Sequence, residues 1–420
     1  MLPRADDSGA VRAFAPALML LVISFLINYI DRGNISVAAP LIKAEFQLSD
    51  SQLGILFAAF FTTYTAMQFV VGWLVDRFNV NSILAAGFLV WSLATSMTGL
   101  VRGFALLLTL RFILGIGESV ALPAGSKILA QHLPEQRRGF ASGALMSALR
   151  CGNAVGTLGP GLLMAKLGWR RVFIALGLLS LPWLPAWIKW MPRTGNAVGR
   201  ADQRGPGFQD ILSQRSFWGT CVGHFAANYL FYFMITWLPS YLVRERHLPM
   251  VAMTRIAGLY YAVDAVSAVL SGWLQDSFIA KQYPPTLVRK AAMGIGFSLA
   301  ALAVVACVTT DTSYLPWLLA AGAGCGFTGP GLYTFPQTLA GAGAVGKWYG
   351  WQNGFANLAG VLGPSLTGLV LERTHNFLAP FAITAAISVM GGLSWVLMVG
   401  RVEQVKWPRS REFGAQPAGA

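Results

Sequence analysis

The sequence predicts an all-α membrane protein of twelve spanning helices, arranged as two pseudo-symmetric six-helix bundles with both termini cytoplasmic. Three observations predict it. Of 420 residues, 55% are hydrophobic and only 11% charged, with a mean hydropathy of +0.56; an ordinary soluble chain carries about 25% charged residues. The apolar residues gather into runs of the ~20 residues that a helix needs to cross a bilayer. Finally, two motifs, one at the end of a run and one inside another, recur at offsets of 200 and 204 residues.

The runs follow in order. The first, 16–40, is longer than a secretory signal and lacks a small-residue cleavage site, so it reads as a retained helix after a short N-terminal segment, 1–15. It carries Asp31 and Arg32. The second, 52–75, leads into Gly72-Trp73-Leu74-Val75-Asp76 and Arg77. The third, 82–101, and the fourth, 104–128, flank Arg102, and the fourth contains Arg111 and Glu118. The fifth, 139–164, holds Arg150 and the string Gly156-Thr157-Leu158-Gly159-Pro160. The sixth, 171–191, ends among Trp183, Trp187 and Trp190, which read as an interfacial belt.

A hydrophilic stretch rich in Gly and Arg, 192–215, reads as a cytoplasmic linker between a first bundle, 16–191, and a second, 216–400. The second half runs through 217–242, 255–279, 291–310, 314–340, 348–371 and 378–400, and leaves a tail, 401–420. Its eighth run repeats the motif of the second as Gly272-Trp273-Leu274-Gln275-Asp276, and its eleventh repeats the glycine string as Gly360-Val361-Leu362-Gly363-Pro364. Two ordered matches at nearly one offset indicate a duplication, and paired six-helix repeats with a site between them are a transporter architecture.

The net charge of +14 invites a nucleic-acid reading, but the positions of the cations argue against it. With both termini inside, the inner loops and termini hold 18 of the 31 Lys and Arg residues, the outer loops 9, and four (Arg32, Arg111, Lys127, Arg150) lie within runs. That two-to-one bias follows the positive-inside rule. Lys166-Arg170-Arg171 and Arg244-Arg246-Arg255 are outer exceptions. The four cysteines lie in apolar segments without metal or redox spacing and read as small packing residues. No P-loop, dinucleotide fingerprint, nucleophile set or metal-ligand cluster occurs, so the chain reads as a non-enzymatic carrier without metal or cofactor.

Asp31, Arg32, Arg111 and Glu118 are the informative residues. A charge at mid-bilayer costs at least ~3 kcal/mol, so four of them imply a solute or proton pathway, in which they face water or one another. Arg111 and Glu118 are seven residues apart, two helical turns on one face and about 10 Å along the axis. Asp31 and Glu118 both fall near the middle of their runs. Arginine suits a carboxylate because its planar fork binds bidentately; a buried carboxyl is a tunable proton carrier. The reading is that Arg32 or Arg111 holds the carboxylate of an organic anion while Asp31 and Glu118 carry protons. The alternative is a static cluster joining the first and fourth helices. In the seventh run Asn228 and Tyr232 are four apart, on one face, and suit a lining role; lone His224 reads as a packed residue.

The pattern Gly72-x-x-x-Asp76-Arg77 resembles the loop signature of the major facilitator superfamily, although Phe78-Asn79-Val80-Asn81 replaces its usual glycine and basic continuation. The resemblance gives Asp76, Arg77 and the repeat's Asp276 a gating role. A closer resemblance is to the anion:cation symporter family of bacterial sugar-acid transporters (galactonate, hexuronate, glucarate). It rests on Asn28-Tyr29-Ile30-Asp31-Arg32-Gly33-Asn34, Tyr64, Arg111-Phe112-x-x-Gly115-x-x-Glu118, Gly168-Trp169-Arg170, Trp237-Leu238-Pro239-x-Tyr241-Leu242 and Asn353 with Asn357-Leu358-Ala359-Gly360. The resemblance implies a proton-coupled symporter in a bacterial inner membrane, working as a monomer on a small organic anion. It also implies Asp31 and Glu118 as the coupling acids, and Tyr29, Arg32, Tyr64, Arg111 and Asn353 as substrate residues.

The chain departs from the family where a polar glutamine is expected: Leu149-Arg150 stands there, and Asp264 adds an acid in the eighth run. Three readings stay open: an Arg150–Asp264 pair between the halves, an arginine snorkelling inward, and an Arg150 that clamps a second carboxylate. Two other functions also stay open: an uncoupled facilitator or exporter of organic acids, and a non-transporting sugar-acid sensor.

Overall fold

The computed structural model describes residues 6–132, 135–191, 206–310, 314–341 and 344–407; the side chains of Asp76 and Arg150 lie outside the described residues. Helices occupy every predicted run. In order they are α1 (Asp6–Phe46), α2 (Asp50–Arg77), α3 (Val80–Thr98), α4 (Phe104–Glu118), α5 (Ala121–His132), α6 (Glu135–Leu167), α7 (Trp169–Ser180) and α8 (Trp183–Trp190). There follow α9 (Phe208–Leu212), α10 (Arg215–Arg244), α11 (Met250–Ala280), α12 (Pro285–Thr309), α13 (Tyr314–Thr328), α14 (Gly331–Ala340), α15 (Val345–Thr374) and α16 (Leu378–Leu393), the last continuing as a π turn, Ser394–Met398. Among the described residues, eight stretches are long and apolar enough to cross a membrane. The other four runs are helical too, as α2, α6, α10 and the pair α13–α14.

Several runs are broken, and proline accounts for the breaks because it cannot donate to the carbonyl four residues back. The fourth run divides into α4 and α5, with Pro123 just inside α5. Pro182 precedes α8 and Pro330 precedes α14. Of the linker read as 192–215, residues 192–205 lie outside the described residues. Its described part is docked by α9, where Ile211 is buried, Lys347 donates to the Pro206 carbonyl at 3.1 Å, and Phe208 meets Trp351.

α1 packs on α6, α2 on α4, and α3 on α4 and α7; later in the chain α10 packs on α15 and α16, and α12 on α13 and α16. Among the described residues the two groups meet most extensively where α2 packs on α15, α6 on α11, and α1 on α10. The glycine strings permit close packing, within the first group at Gly156 of α6 against α1 and between the groups at Gly360 of α15 against α2. A Cβ added to Gly156 would stand 2.7 Å from Ile30 Cα, and one on Gly360 would enter the Phe61 ring.

Many contacts between the groups gather at one face, which carries the turns at 47–49, 245–249 and 375–377. There Arg244 grips both oxygens of Asp50 at 2.6 and 3.1 Å, and Lys43 also donates to Asp50. Glu372 accepts from the Ser51 amide at 3.1 Å. Beneath them α2 and α15 touch backbone to backbone: a Cβ on Gly54 would lie 2.6 Å from the Pro364 carbonyl oxygen. Burial tends to raise the Asp50 carboxyl, but Lys43 and Arg244 prevail and hold it below the usual carboxylate range. Because its pKa is depressed, the contribution of this cluster is present above the ordinary aspartate value and is lost only as pH falls through the lowered one. Spin labels at Ser51 and Arg373 are therefore expected to report one unchanged distance from about pH 8 to 5, above that range. Asp50→Asn is expected to lengthen or broaden the distance at every pH; a wild-type distribution in that variant would remove Asp50 as a tie.

The outer basic exceptions also find uses at this face. Arg170 pairs with Glu45 at 2.8 Å and donates to the Gly99 carbonyl, and Arg246 donates to the carbonyls of Cys307 and Thr310. Cations that satisfy carbonyls at helix ends are held by the fold rather than by the sidedness bias.

Two readings are corrected. Trp183 and Trp187 are not an interfacial belt: they stack at 4.8 Å, donate to the carbonyls of Leu20 and Asn81, and are buried, whereas Trp190 is exposed. Each indole has a carbonyl partner inside the bundle, which removes its need for interfacial water. Of the cysteines, Cys221, Cys307 and Cys325 are buried, but Cys151 is exposed on α6 rather than packed.

Candidate functional site

Arg32, in the middle of α1, is the centre of the site. It is 5% exposed, and its Nε and Nη2 both donate to Oε2 of Glu118, at 3.2 and 3.1 Å. Nη2 also donates to Asn28 Oδ1, one turn earlier, at 3.3 Å. Three rings enclose the guanidinium, with centroids at 4.4 Å (Tyr29), 4.7 Å (Tyr64) and 5.0 Å (Phe60). A delocalised, weakly hydrated cation suits such a box better than an ammonium would.

Glu118 is the last residue of α4, directly before the break to α5, and is fully buried. Its Oε1 has no hydrogen-bond partner. Asp31 points elsewhere on α1: Asn34 donates to its Oδ1 at 3.4 Å, while Thr95 of α3, Glu118 and Arg111 lie around it and Oδ2 is unpartnered. Arg111 is 3% exposed, its guanidinium carbon lies 5.1 Å from the Phe60 ring centroid, and its Nε has no partner. The four predicted charges thus share one buried cluster. Two of them pair directly, and the cluster leaves one oxygen of each acid and one arginine nitrogen unsatisfied. Buried groups normally find partners, so three unsatisfied polar atoms in one cluster set it apart from the rest of the bundle.

The second half supplies an uncharged wall. On α10, Asn228 is half-buried and Tyr232 is buried; Tyr232 donates to Asn357 Oδ1 at 2.7 Å and its ring meets Phe61 of α2 at 4.3 Å. Asn353 on α15 is half-buried, and its backbone carbonyl accepts from Asn357 at 2.8 Å. Tyr333 of α14 and Tyr349 of α15 stand 5.4 Å apart, ring to ring, within electrostatic reach of Tyr29. His224 is packed as expected, with Gln352 Nε2 3.0 Å from its Nδ1.

Sequence reasoning missed several members. Asn28 carried a motif but received no role, and Phe60, Asn357, Tyr333, Tyr349 and Gln352 received none. Asn357 sits four residues after Asn353, a helical spacing that marks one side of the helix, whereas Gln352, one residue before Asn353, carried no such signal.

The remaining predicted residues lie away from this cluster or cannot be placed. Asp264 is buried in α11 against α13, where its carbonyl oxygen lies 2.0 Å from a Cβ built on Gly326. Its expected partner Arg150 has its side chain outside the described residues, as has Asp76. Arg77 and Asp276 are exposed at their helix ends, and Asp276 lies near Arg289. Next to Asp76, Lys127 of α5 donates to the Val75 carbonyl, a tie between the fourth run and the end of α2.

Residues 21–288 match the Major Facilitator Superfamily. The chain is 31% identical over 398 residues to the probable sulfoacetate transporter SauU of Cupriavidus necator, covering 90% of this chain and 92% of that one. It is 28% identical over 423 residues to the probable galactarate/D-glucarate transporter GarP of Escherichia coli K12, covering 93% and 95%. Among solved structures, a bacterial homologue of the human lysosomal transporter Spinster, inward-facing and occupied, aligns with a TM-score of 0.73 at 21% identity, covering 91% of this chain and 93% of that one.

Proposed function

The chain belongs to the major facilitator superfamily, whose members are transporters and not enzymes, and from that premise we propose that it is a proton-coupled symporter importing a small organic anion of the acidic-sugar class across the bacterial inner membrane. The relatives named for galactarate, glucarate and sulfoacetate support an organic anion. The twelve helical runs and the two-to-one cation bias support twelve spans with cytoplasmic termini. In that orientation the Asp50–Arg244 face is outward, and the contacts gathered there support an inward-facing resting state.

The observation that carries the reading is the Arg32–Glu118 pair inside its aromatic box. A proton on Glu118 cancels the charge that holds Arg32, so a substrate carboxylate takes over the guanidinium without leaving a net charge buried. Protonation and anion binding thereby favour each other, as symport requires. Asp31, beside Arg111 and Glu118, is the second proton carrier, and Arg111 the second anion anchor. Tyr232, Asn228 and Asn353 offer hydrogen bonds to hydroxyls.

Purified protein in proteoliposomes tests the reading with galactarate, D-galactonate and sulfoacetate as solutes. An inward proton gradient is expected to drive uptake of at least one above its equilibrium level. Equal flux with and without the gradient would establish an uncoupled carrier, and binding without flux would establish a sensor.

A further inference from the structure

Prolines inside helices leave carbonyls without their usual donor, and two such carbonyls here are capped in the same way. In α14, Pro336 lacks the N–H that the Leu332 carbonyl would receive, and Gln352 of α15 donates to that carbonyl instead, at 3.3 Å. In α5, Pro123 deprives the Ser119 carbonyl, and Gln68 of α2 donates to it at 3.4 Å. Both caps sit on broken runs, and each carbonyl adjoins a site residue: Ser119 follows Glu118, and Leu332 precedes Tyr333.

Gln352 is the better placed of the two. It is fully buried, and the same Nε2 approaches His224 Nδ1 of α10 at 3.0 Å. One amide therefore ties three helices, α10, α14 and α15. Its own Oε1 has no partner, so what the side chain contributes is the donor end. Around this knot stand the two tyrosines of the uncharged wall. Tyr333 is the residue after the capped carbonyl, and Tyr349 lies 6.2 Å from His224, ring to ring. α14 is short and cut off from α13 by Gly329-Pro330. Phe335 packs on Trp395, Arg289 donates to Thr338 and Trp407 donates to the Ala340 carbonyl, whereas Gln352 is the tie on its first turn, beside Tyr333.

We propose that Gln352 is a positioning residue: by capping the carbonyl that Pro336 orphans, it fixes α14 against α15 and so sets where Tyr333 and Tyr349 meet the part of the substrate distal to its carboxylate. The inference rests on the transport reading for its functional consequence but not for its geometry. Gln352 itself does not touch the substrate. Its loss therefore loosens selection among solutes that share a carboxylate and differ in the hydroxylated remainder, and leaves the carboxylate pole at Arg32 alone.

A compensating pair tests it. Gln352→Leu removes the cap, and Pro336→Ala restores an N–H that reaches the Leu332 carbonyl from within α14. Spin labels at Gln337 and Gly350 report the α14–α15 distance with no substrate present. Gln352→Leu is expected to broaden that distribution, and the double variant to narrow it again. In transport, Gln352→Leu is expected to raise the apparent KM for galactarate about tenfold, the scale of one lost buried hydrogen bond, with the maximal rate largely kept; the double variant recovers most of that loss. Additive damage in the double variant, or a wild-type distance in Gln352→Leu, overturns the proposal. If Gln352→Leu does not fold, a folded double variant supports the compensation and a second unfolded protein refutes it. If none of galactarate, D-galactonate and sulfoacetate is carried by the wild type, the transport reading fails while the distance test still decides the positioning role.

Discussion

Glu118→Gln is expected to abolish proton-driven accumulation while leaving exchange of bound solute across the membrane measurable. The amide keeps the shape of the acid and still offers an oxygen to Arg32, but it neither loads nor releases a proton. In the wild type, Oε2 of Glu118 accepts both donors from Arg32, so substrate must compete with a carboxylate. In the variant it competes with a neutral amide, and solute binding is expected to lose its dependence on pH. Counterflow, which needs only reorientation of the loaded carrier, reads the surviving half of the cycle. Asp31→Asn is expected to lose accumulation as well, while keeping the Arg32–Glu118 pair. Normal concentrative uptake in both variants would remove the two acids from coupling.

Arg32→Ala is expected to be the most destructive single change in the chain. It strips the partner from a fully buried carboxylate and empties a box of three rings. Breaking one side of a buried pair typically costs ~3–5 kcal/mol, because the charge left behind has neither water nor partner. The companion double variant, Arg32→Ala with Glu118→Gln, removes both charges and is expected to regain much of the thermal stability without regaining transport. Such non-additivity separates a pair that serves the fold from one that serves binding. Equal melting temperatures for the single and double variants would mean that the pair contributes little to the fold.

The charged half of the site was legible because a charge inside an apolar run is rare enough to need a reason, and Asp31, Arg32, Arg111 and Glu118 meet. The aromatic half was not. Phe60 looks like any other apolar residue of a spanning helix, and nothing in its sequence neighbourhood says that its ring faces an arginine. Tyr333 and Tyr349 are sixteen residues apart on two helices, and only the break before α14 and the turn back into α15 bring their rings together. The duplication was legible from short motifs, but the matching division of the fourth and tenth runs was not. Pro123 and Pro330 advertise interruptions without saying that the chain continues in line beyond them. Trp183 and Trp187 misled because tryptophan near the end of an apolar run usually marks the lipid surface; here the hydrogen-bond needs of both are met within the bundle.

A carrier works only if neither of its end states is a trap, and the cluster at Asp50 is built on that scale. Arg244 remains about one-third exposed, so solvent competes for its partner. An ion pair open to solvent on one side contributes on the order of 1 kcal/mol, which is roughly a fivefold preference between two conformations. A preference that small sets where the molecule waits and is reversed by the binding of one solute. The glycine contacts below it act in the same measured way, since backbone touching backbone at Gly54 offers shape but little grip. In the proposed cycle, the part of the protein that must separate is therefore fastened weakly, and the fully buried pairing of Arg32 with Glu118 would open at the step at which substrate itself supplies the replacement charge.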